Sequence, residues 1–493
     1  MDTNGPQIGD CQPDVLERSS GCLSAYSSVG QPSTASVVCM PEPKLMKSRL
    51  IPVSGIGSVV EAEQRATSAL LAVISVVRDL SFELLTPLGA SRAQNAGVDT
   101  FIEVVLPKSK VRPDGLIRVS YGKSEWSAFV EVKTGTNTLT PEQVNAYFDL
   151  AREFKVDHVL TISNEIAHKD GVHPTDGLKV RSNSTVQVSH ISWSAIVSAA
   201  LRIKRHKGVN DPEQSWLLDE LIRYLQHPAS GALDFSDMGS HWVAIRDGAR
   251  EGSLTKRTVG IEDVVNRWDQ LLRFGGLGLS ADIGEDVDLV FGRGQKDVRQ
   301  RTAGLIESLS SIGVLSGSLR IPHTAGDLLI EADLRARQIA ASVDVAAPHD
   351  RGVRGRVSWL VSQLGDARGD LVIESYPKNA RTCTSATLDQ IREDRFALLD
   401  DDRRESHRFR IVKRSEMGVG RKSGTRSPGF IDTVLGVIND FYGNVVQQIT
   451  PWQPSAPKLA KQPTPEVEPD DAPIDAQIVE EKVWSYEWPK SVD

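Results

Sequence analysis

The segment from Arg112 to Lys133 constrains this chain more than any other. Two runs, Gly115 to Tyr121 and Ser127 to Lys133, carry strand-type apolar patterning and flank Gly122-Lys123-Ser124, so they predict an antiparallel hairpin. With Gly122 and Lys123 as the two turn residues, Asp114 falls directly opposite Glu131. A turn shifted by one residue makes them diagonal neighbours. Residues i and i+2 of a strand share a face, so Lys133 joins Glu131, while Ala128, Val130 and Val132 point the other way, toward a core. Two carboxylates and one amine therefore converge on one patch.

The 493 residues are too many for one core and predict three or so domains. Hydrophobic residues at 40% and charged residues at 25% are ordinary for a soluble globular protein. The net charge of −8 weighs only weakly against a nucleic-acid partner, because a groove alone needs to be basic. Cys11, Cys22, Cys39 and Cys383 form no C-x-x-C pair, which argues against a zinc site or disulfide framework and fits a reducing cytoplasm. The first residues, Met-Asp-Thr-Asn-Gly, lack a signal-peptide pattern, and the longest apolar run, Ala69 to Val77, is too short to span a bilayer. No membrane association is expected.

Along the chain, residues 1–48 are rich in Ser, Gly, Pro and Gln and predict a disordered segment. Residues 49–207 predict a mixed α/β domain. Its elements are a long helix over Glu61 to Leu85, a strand over Thr100 to Leu106, the hairpin, a helix capped by Thr140 that runs from Pro141 to about Phe154, a strand over His158 to Ser163, a strand over Thr185 to Ile191 and a helix over Trp193 to Lys204. Residues 210–318 predict a mostly helical region, with helices at Ser215 to Gln226, Ile261 to Phe274 and Asp297 to Ser311. Residues 319–450 predict an α+β accessory domain: a strand pair at Leu328 to Leu334 and Gln338 to Val345, a helix at Arg354 to Leu364, a strand at Leu371 to Glu374 and a closing helix at Phe430 to Gln447. Residues 451–493 form an acidic, Pro-rich tail, with nine acids and four bases from Pro457 to Asp493. Its aromatic end, Trp484, Tyr486 and Trp488, is a docking element for the body or a protein partner, or equally a last strand or helix. The sequence leaves the oligomeric state open.

Two clustered carboxylates repel unless a cation sits between them. Mg²⁺ suits such a site, because it takes one or two carboxylates, keeps several waters and also binds phosphate oxygens. It would lower the pKa of a bound water and neutralise charge building on a phosphodiester. Lys133 beside it would position the attacking water or stabilise the pentavalent oxygens.

Asp114, the Glu131-Val132-Lys133 triplet and Gln143-x-x-x-Tyr147 on the next helix together make residues of about 55 to 195 resemble the PD-(D/E)XK nucleases, in the RecB-type branch. The resemblance implies a restriction-endonuclease-like mixed sheet. It also implies a Mg²⁺ ion, with Mn²⁺ as an alternative, held by Asp114, Glu131 and the main-chain carbonyl of Val132. Lys133 would assist the water, and Gln143 and Tyr147 would line the DNA side of the site. A Glu from the first helix often joins the metal shell in that family; Glu63 is the candidate, since it shares a face with Ala66, Leu70 and Val77, and Glu61 is the runner-up. The implied activity is metal-dependent hydrolysis of nucleic acid, DNA ahead of RNA, in a defence or repair setting.

Each residue also has a plainer reading. Glu-x-Lys is common on exposed strands, and Pro113-Asp114-Gly115 is an ordinary turn. Gln143 lies three residues after Thr140 and would complete a capping box. Tyr147 suits a half-buried core position, and Glu63 a first-turn acid. The basic run Arg202 to Lys207 matches a helix C-terminus as well as it matches phosphate binding. Lys179 and Arg181 are candidates to flank the groove, and the loop groups Arg351, Arg354, Arg356 and Arg421, Lys422, Arg426 are candidate nucleic-acid contacts. Gly275-Gly276 begins no phosphate loop. His168, His173 and His190 show no metal-ligand spacing and are not expected to cluster. The rival functions are a non-cleaving nucleic-acid-binding module and a regulatory or scaffold protein on the same fold.

Overall fold

A computed structural model describes residues 49–453, apart from 108, 110, 168–170, 181–183, 233–234, 293–294, 296, 381, 400–403 and 419–427. The N-terminal segment to residue 48, the acidic tail from 454 and its aromatic end, and the candidates Arg181, Arg421, Lys422, Arg426 and His168 lie outside the described residues.

Helix α1 (Val59–Val76) buries Ala62, Ala66, Leu70, Val73 and Ile74 along one stripe, and the Ser58 side chain caps it. The expected single helix to Leu85 is broken at Val77, whose backbone is extended (φ −85°, ψ 97°), and α2 (Arg78–Leu85) follows. The break is satisfied from a distance: the Arg78 amide donates to Gln214 Oε1, 3.2 Å away. Strand β1 is Gly97–Ile102, somewhat earlier than expected. Strands β2 (Gly115–Tyr121) and β3 (Ser124–Val132) pair Tyr121 with Ser124 and Gly115 with Val130, so Gly122 and Lys123 are the turn residues. Gly122 carries the positive φ (60°) that such a turn requires.

Helix α3 (Pro141–Phe154) starts on a full capping box between Thr140 and Gln143. Strands β4 (His158–Ser163) and β5 (Gln187–Ser192) then run parallel to β3, and α4 (Trp193–Arg202) and α5 (Pro212–Leu225) follow. The result is a five-stranded mixed sheet in the order β1-β2-β3-β4-β5. Ile117, Val130, Val132, Leu160 and Ile162 face one core with α1, α2, α4 and α5. Leu116, Phe129 and Val159 face a smaller core with α3. Leu218 and Leu221 of α5 belong to the first core, so this structural layer extends past the expected boundary at residue 207.

The second half comprises α6 (Trp242–Glu251), α7 (Ile261–Ile283), β6 (Asp288–Val290), α8 (Val298–Ile312), β7 (Val314–Arg320), β8 (Leu328–Asp333), β9 (Gln338–Ala346), α9 (Val353–Leu364), β10 (Val372–Pro377), β11 (Thr384–Thr387), α10 (Leu388–Glu393), β12 (Ser406–Glu416) and α11 (Phe430–Asn444). Its seven strands form one antiparallel sheet, ordered β11-β10-β12-β9-β8-β7-β6. This corrects the division at 318/319, which falls inside β7. Helices from the expected helical region and strands from the expected α+β domain share one core, with Trp268, Leu272, Leu315, Ile330, Ile411 and Ile438 all within it. Gly275-Gly276 lies inside α7, where a Cβ on Gly275 would stand 2.7 Å from Ile438 Cδ1. The chain is thus mixed α/β, with one mixed and one antiparallel sheet. Among the described residues no helix is long and apolar enough to cross a membrane.

Candidate active site

The hairpin register brings the expected groups together. Asp114 stands just ahead of β2, and its Oδ2 accepts the Val132 amide hydrogen at 2.8 Å. Glu131 is 3% exposed and faces the α3 side of the sheet. The Lys133 ammonium donates to Glu131 Oε1 at 2.7 Å and to the Val132 carbonyl at 3.3 Å. The Lys133 backbone is anchored on both sides: its amide donates to Ile162 O at 2.8 Å, and its carbonyl accepts the indole N–H of Trp193 at 2.9 Å.

Glu63 arrives from α1. Its Oε2 lies 3.8 Å from the Lys133 ammonium, and its Oε1 accepts from Asn137 Nδ2 at 2.8 Å and from the Thr134 amide at 3.4 Å. Glu61, the runner-up, is exposed and turns back to the Gly57 amide at 2.6 Å, so it serves its own helix start. Tyr147 is 9% exposed, and its hydroxyl donates to the Arg112 carbonyl at 3.2 Å. Gln143 takes the plainer role. It is exposed, and its side-chain oxygen accepts the Thr140 amide hydrogen at 3.4 Å to close the capping box. Asn137 and Trp193 are site residues that sequence reasoning missed. Asn137 had a weak signal, lying in the loop just after Glu131-x-Lys133; Trp193 had none, since its partner is 60 residues away.

The electrostatics follow from burial. Asp114 is pushed up to about 7, first by burial and then by the Glu131 charge. Burial works against the Lys133 charge, but the Glu131 carboxylate, aided by Glu63 and Asp114, overcomes it and lifts the ammonium above its ordinary value. Burial and then the two carboxylates hold the Tyr147 phenol neutral far above its ordinary range.

Among the described residues, no group of three His, Cys, Asp or Glu side chains is placed to hold a metal ion unaided. The donor set on offer is two carboxylates, Asp114 and Glu131, and the Val132 main-chain carbonyl next in the chain to Glu131, with Glu63 on the far side of the Lys133 ammonium. That set fits Mg²⁺, which keeps several waters and binds through one or two carboxylates. One atom bears on the fit: among the described residues no hydrogen bond of good geometry reaches the buried Glu131 Oε2, although Asp114 and Tyr147 both interact with that carboxylate. A buried carboxylate oxygen without a donor is costly, and a cation there would relieve it.

The same sheet face continues past Glu131. The parallel register places Thr161 beside Glu131 and His190 beside Thr161. The Thr161 hydroxyl lies 2.8 Å from His173 Nε2 and 3.0 Å from His190 Nδ1, so these two histidines do cluster, contrary to expectation. Their hydrogen bonds settle both tautomers. His173 Nδ1 accepts the Thr175 amide hydrogen, leaving its proton on Nε2 to donate to Thr161, while His190 Nε2 donates to the Glu165 carbonyl. Burial holds both rings down to about 4, neutral at ordinary pH.

Most of the other basic candidates have their side chains engaged elsewhere. Arg202 pairs with Glu83 and Asp286, Lys204 with Asp219, Arg205 with Asp282 and Lys207 with Glu83, which ties the end of α4 to α2, α5, α7 and the segment beyond it. Arg356 is buried and donates to the Arg351 and Ser406 carbonyls and to Glu405. Arg354 lies over the Phe396 ring. The Lys179 amide donates to Asn145, beside α3. No protein-family model matches this chain, and no curated protein or solved structure matches it either.

Proposed function

We propose that this chain is a metal-dependent nuclease of the PD-(D/E)XK type, with residues from α1 to α5 as its catalytic lobe. The observation that carries this reading is the convergence of Asp114, buried Glu131 and Lys133, where among the described residues no hydrogen bond of good geometry reaches Glu131 Oε2. Asp114, Glu131 and the Val132 carbonyl would hold Mg²⁺ or Mn²⁺, with Glu63 in support. When bound, the ion supplies a lowered pKa for a bound water and neutralisation of charge on the phosphodiester.

The chain's own groups do the rest. Glu131 holds the Lys133 ammonium charged beside the carboxylates, where it can orient a water for in-line attack and stabilise oxygens that gain charge. Trp193 and Ile162 fix the backbone on either side of that amine, which sets its reach. Tyr147, kept neutral by burial, braces the Arg112 carbonyl and hence the turn that carries Asp114. DNA is proposed ahead of RNA on the resemblance alone.

One contact favours a non-cleaving binding module: the Lys133 ammonium pairs directly with Glu131 at 2.7 Å and can neutralise that carboxylate itself. A single assay separates the two. Wild type and Lys133→Ala are incubated with labelled linear and circular, single- and double-stranded DNA in Mg²⁺, Mn²⁺ or EDTA. Metal-dependent cutting that disappears in Lys133→Ala supports the nuclease. Binding without cutting at any metal rejects it in favour of the module.

A further inference from the structure

A cleft of about 540 Å³ opens between the catalytic lobe and α7. Its floor on one side is the loop after Lys133, Gly135 to Thr138, with Asn164 and Glu165. Asn137 belongs both to this cleft and to the candidate active site, since its amide holds Glu63. The opposite wall is one polar face of α7: Asp263, Asn266, Arg267 and Gln270, spaced as neighbours on a helix. Residues of the segment from Phe235 to His241 also line it. The floor itself is tied together by the Gly231 carbonyl, which accepts both the Gly135 amide (2.8 Å) and Asn164 Nδ2 (2.8 Å).

The lining has an unusual charge pattern for a surface beside a phosphodiester site. Four acids line it, Glu165, Asp176, Asp237 and Asp263, against Arg267 as the one Lys or Arg among the described lining residues. Such a wall repels a phosphate backbone. Yet Asn, Gln and Arg are the side chains that pair two-pronged with base edges, and carboxylates accept from the amino groups of bases. Asn266 is steadied for this by the Thr302 hydroxyl, which donates to its Oδ1 at 3.4 Å. A lining that rejects phosphates and offers base-pairing groups suits bases that have left the stack, not a duplex flanked by phosphates.

We propose that this cleft holds unpaired bases of a single-stranded nucleic acid whose backbone passes the Asp114, Glu131 and Lys133 site. The proposal rests on the nuclease reading for the position of the backbone and names the strandedness that reading leaves open. Arg267 and Gln270 are the specificity-determining residues, and neither is in the catalytic group.

The test measures fluorescence anisotropy of the full wild-type chain in EDTA. The probes are a fluorescein-labelled 20-nucleotide mixed-sequence DNA strand and the same sequence as a blunt duplex. The single strand is expected to bind about tenfold tighter than the duplex. The double variant Arg267→Ala with Gln270→Ala, at one exposed and one half-buried position of α7, is expected to lose about fivefold or more of that single-strand affinity and none of the duplex affinity. Equal affinity for the two probes overturns the proposal, as does a double variant that binds the single strand like wild type. A Mg²⁺ cleavage assay on the same proteins separates the two readings. Strand preference and variant loss without wild-type cutting sink the nuclease and keep the cleft. Wild-type cutting of duplex and single strand alike, unchanged in the double variant, keeps the nuclease and sinks the cleft.

Discussion

Asp114 accepts the amide hydrogen of Val132 across the hairpin at 2.8 Å, which places its carboxyl against Glu131 in a largely buried setting. The consequence is a carboxyl raised from 3.8 to about 7. Between those two values the folded, metal-free protein keeps a proton that the unfolded chain has released, so its stability falls as pH rises through that window. Asp114→Asn keeps an acceptor for Val132 and removes the charge. It is expected to stabilise the metal-free protein at pH 8 by on the order of 2–4 kcal/mol and to abolish cleavage. Urea unfolding in EDTA at pH 5 and pH 8 checks this; a variant no more stable than wild type at pH 8 refutes the burial argument.

Lys133→Ala leaves Glu131 buried without its cation. Breaking a buried pair from one side costs about 3–5 kcal/mol, so the variant should unfold at lower urea in EDTA. Mg²⁺ should then restore more stability to the variant than it adds to wild type, because it replaces the lost cation. Cleavage should fall by about 100-fold or more. Equal Mg²⁺ stabilisation of the two proteins would show that no cation binds at Glu131.

Much of this site was legible because its geometry is local. A two-residue turn and the period-two strand rule place Asp114 opposite Glu131, and the observed pairs Tyr121–Ser124 and Gly115–Val130 follow that register. Helix α3 announced itself by Thr140, Pro141 and Gln143. The features that were missed depend on partners far along the chain. Val77 interrupts α1 with no Gly or Pro to signal it, and the freed Arg78 amide finds Gln214, 136 residues on. His173 and His190 meet only because β4 and β5 are parallel and in register at Thr161. Strand β12 escaped notice because Arg408, Arg410 and Lys413 interleave with and flank Phe409, Ile411 and Val412 and hide its buried face, and β7 because Gly317 and its serines look like a helix end followed by loop.

Gln143 separates cap from catalysis. Its contact is to the Thr140 amide, so Gln143→Glu preserves the capping box and should leave melting temperature unchanged. Gln143→Ala removes one exposed hydrogen bond and should cost about 0.5–1 kcal/mol. Both variants should cut within about threefold of wild type, in the range of surface substitutions. Thermal melts with parallel cleavage rates test this; a loss of cutting in Gln143→Glu at full stability would place the side chain on the substrate after all.

Trp193 reaches Lys133 from outside the motif. It is 1% exposed, and its indole N–H is held by the Lys133 carbonyl at 2.9 Å. Trp193→Phe retains most of the apolar volume and removes the donor, leaving a carbonyl short of a partner at a cost of about 1–3 kcal/mol. The backbone at Lys133 then keeps its amide bond to Ile162 and loses the anchor on its carbonyl. Misplacement of a positioned group by a fraction of an ångström lowers turnover without touching the metal donors. Cleavage under single-turnover conditions should therefore drop about tenfold, while Mn²⁺ affinity measured by electron paramagnetic resonance stays that of wild type. A variant that loses Mn²⁺ affinity in step with cleavage would mean that Trp193 supports the carboxylates rather than the amine.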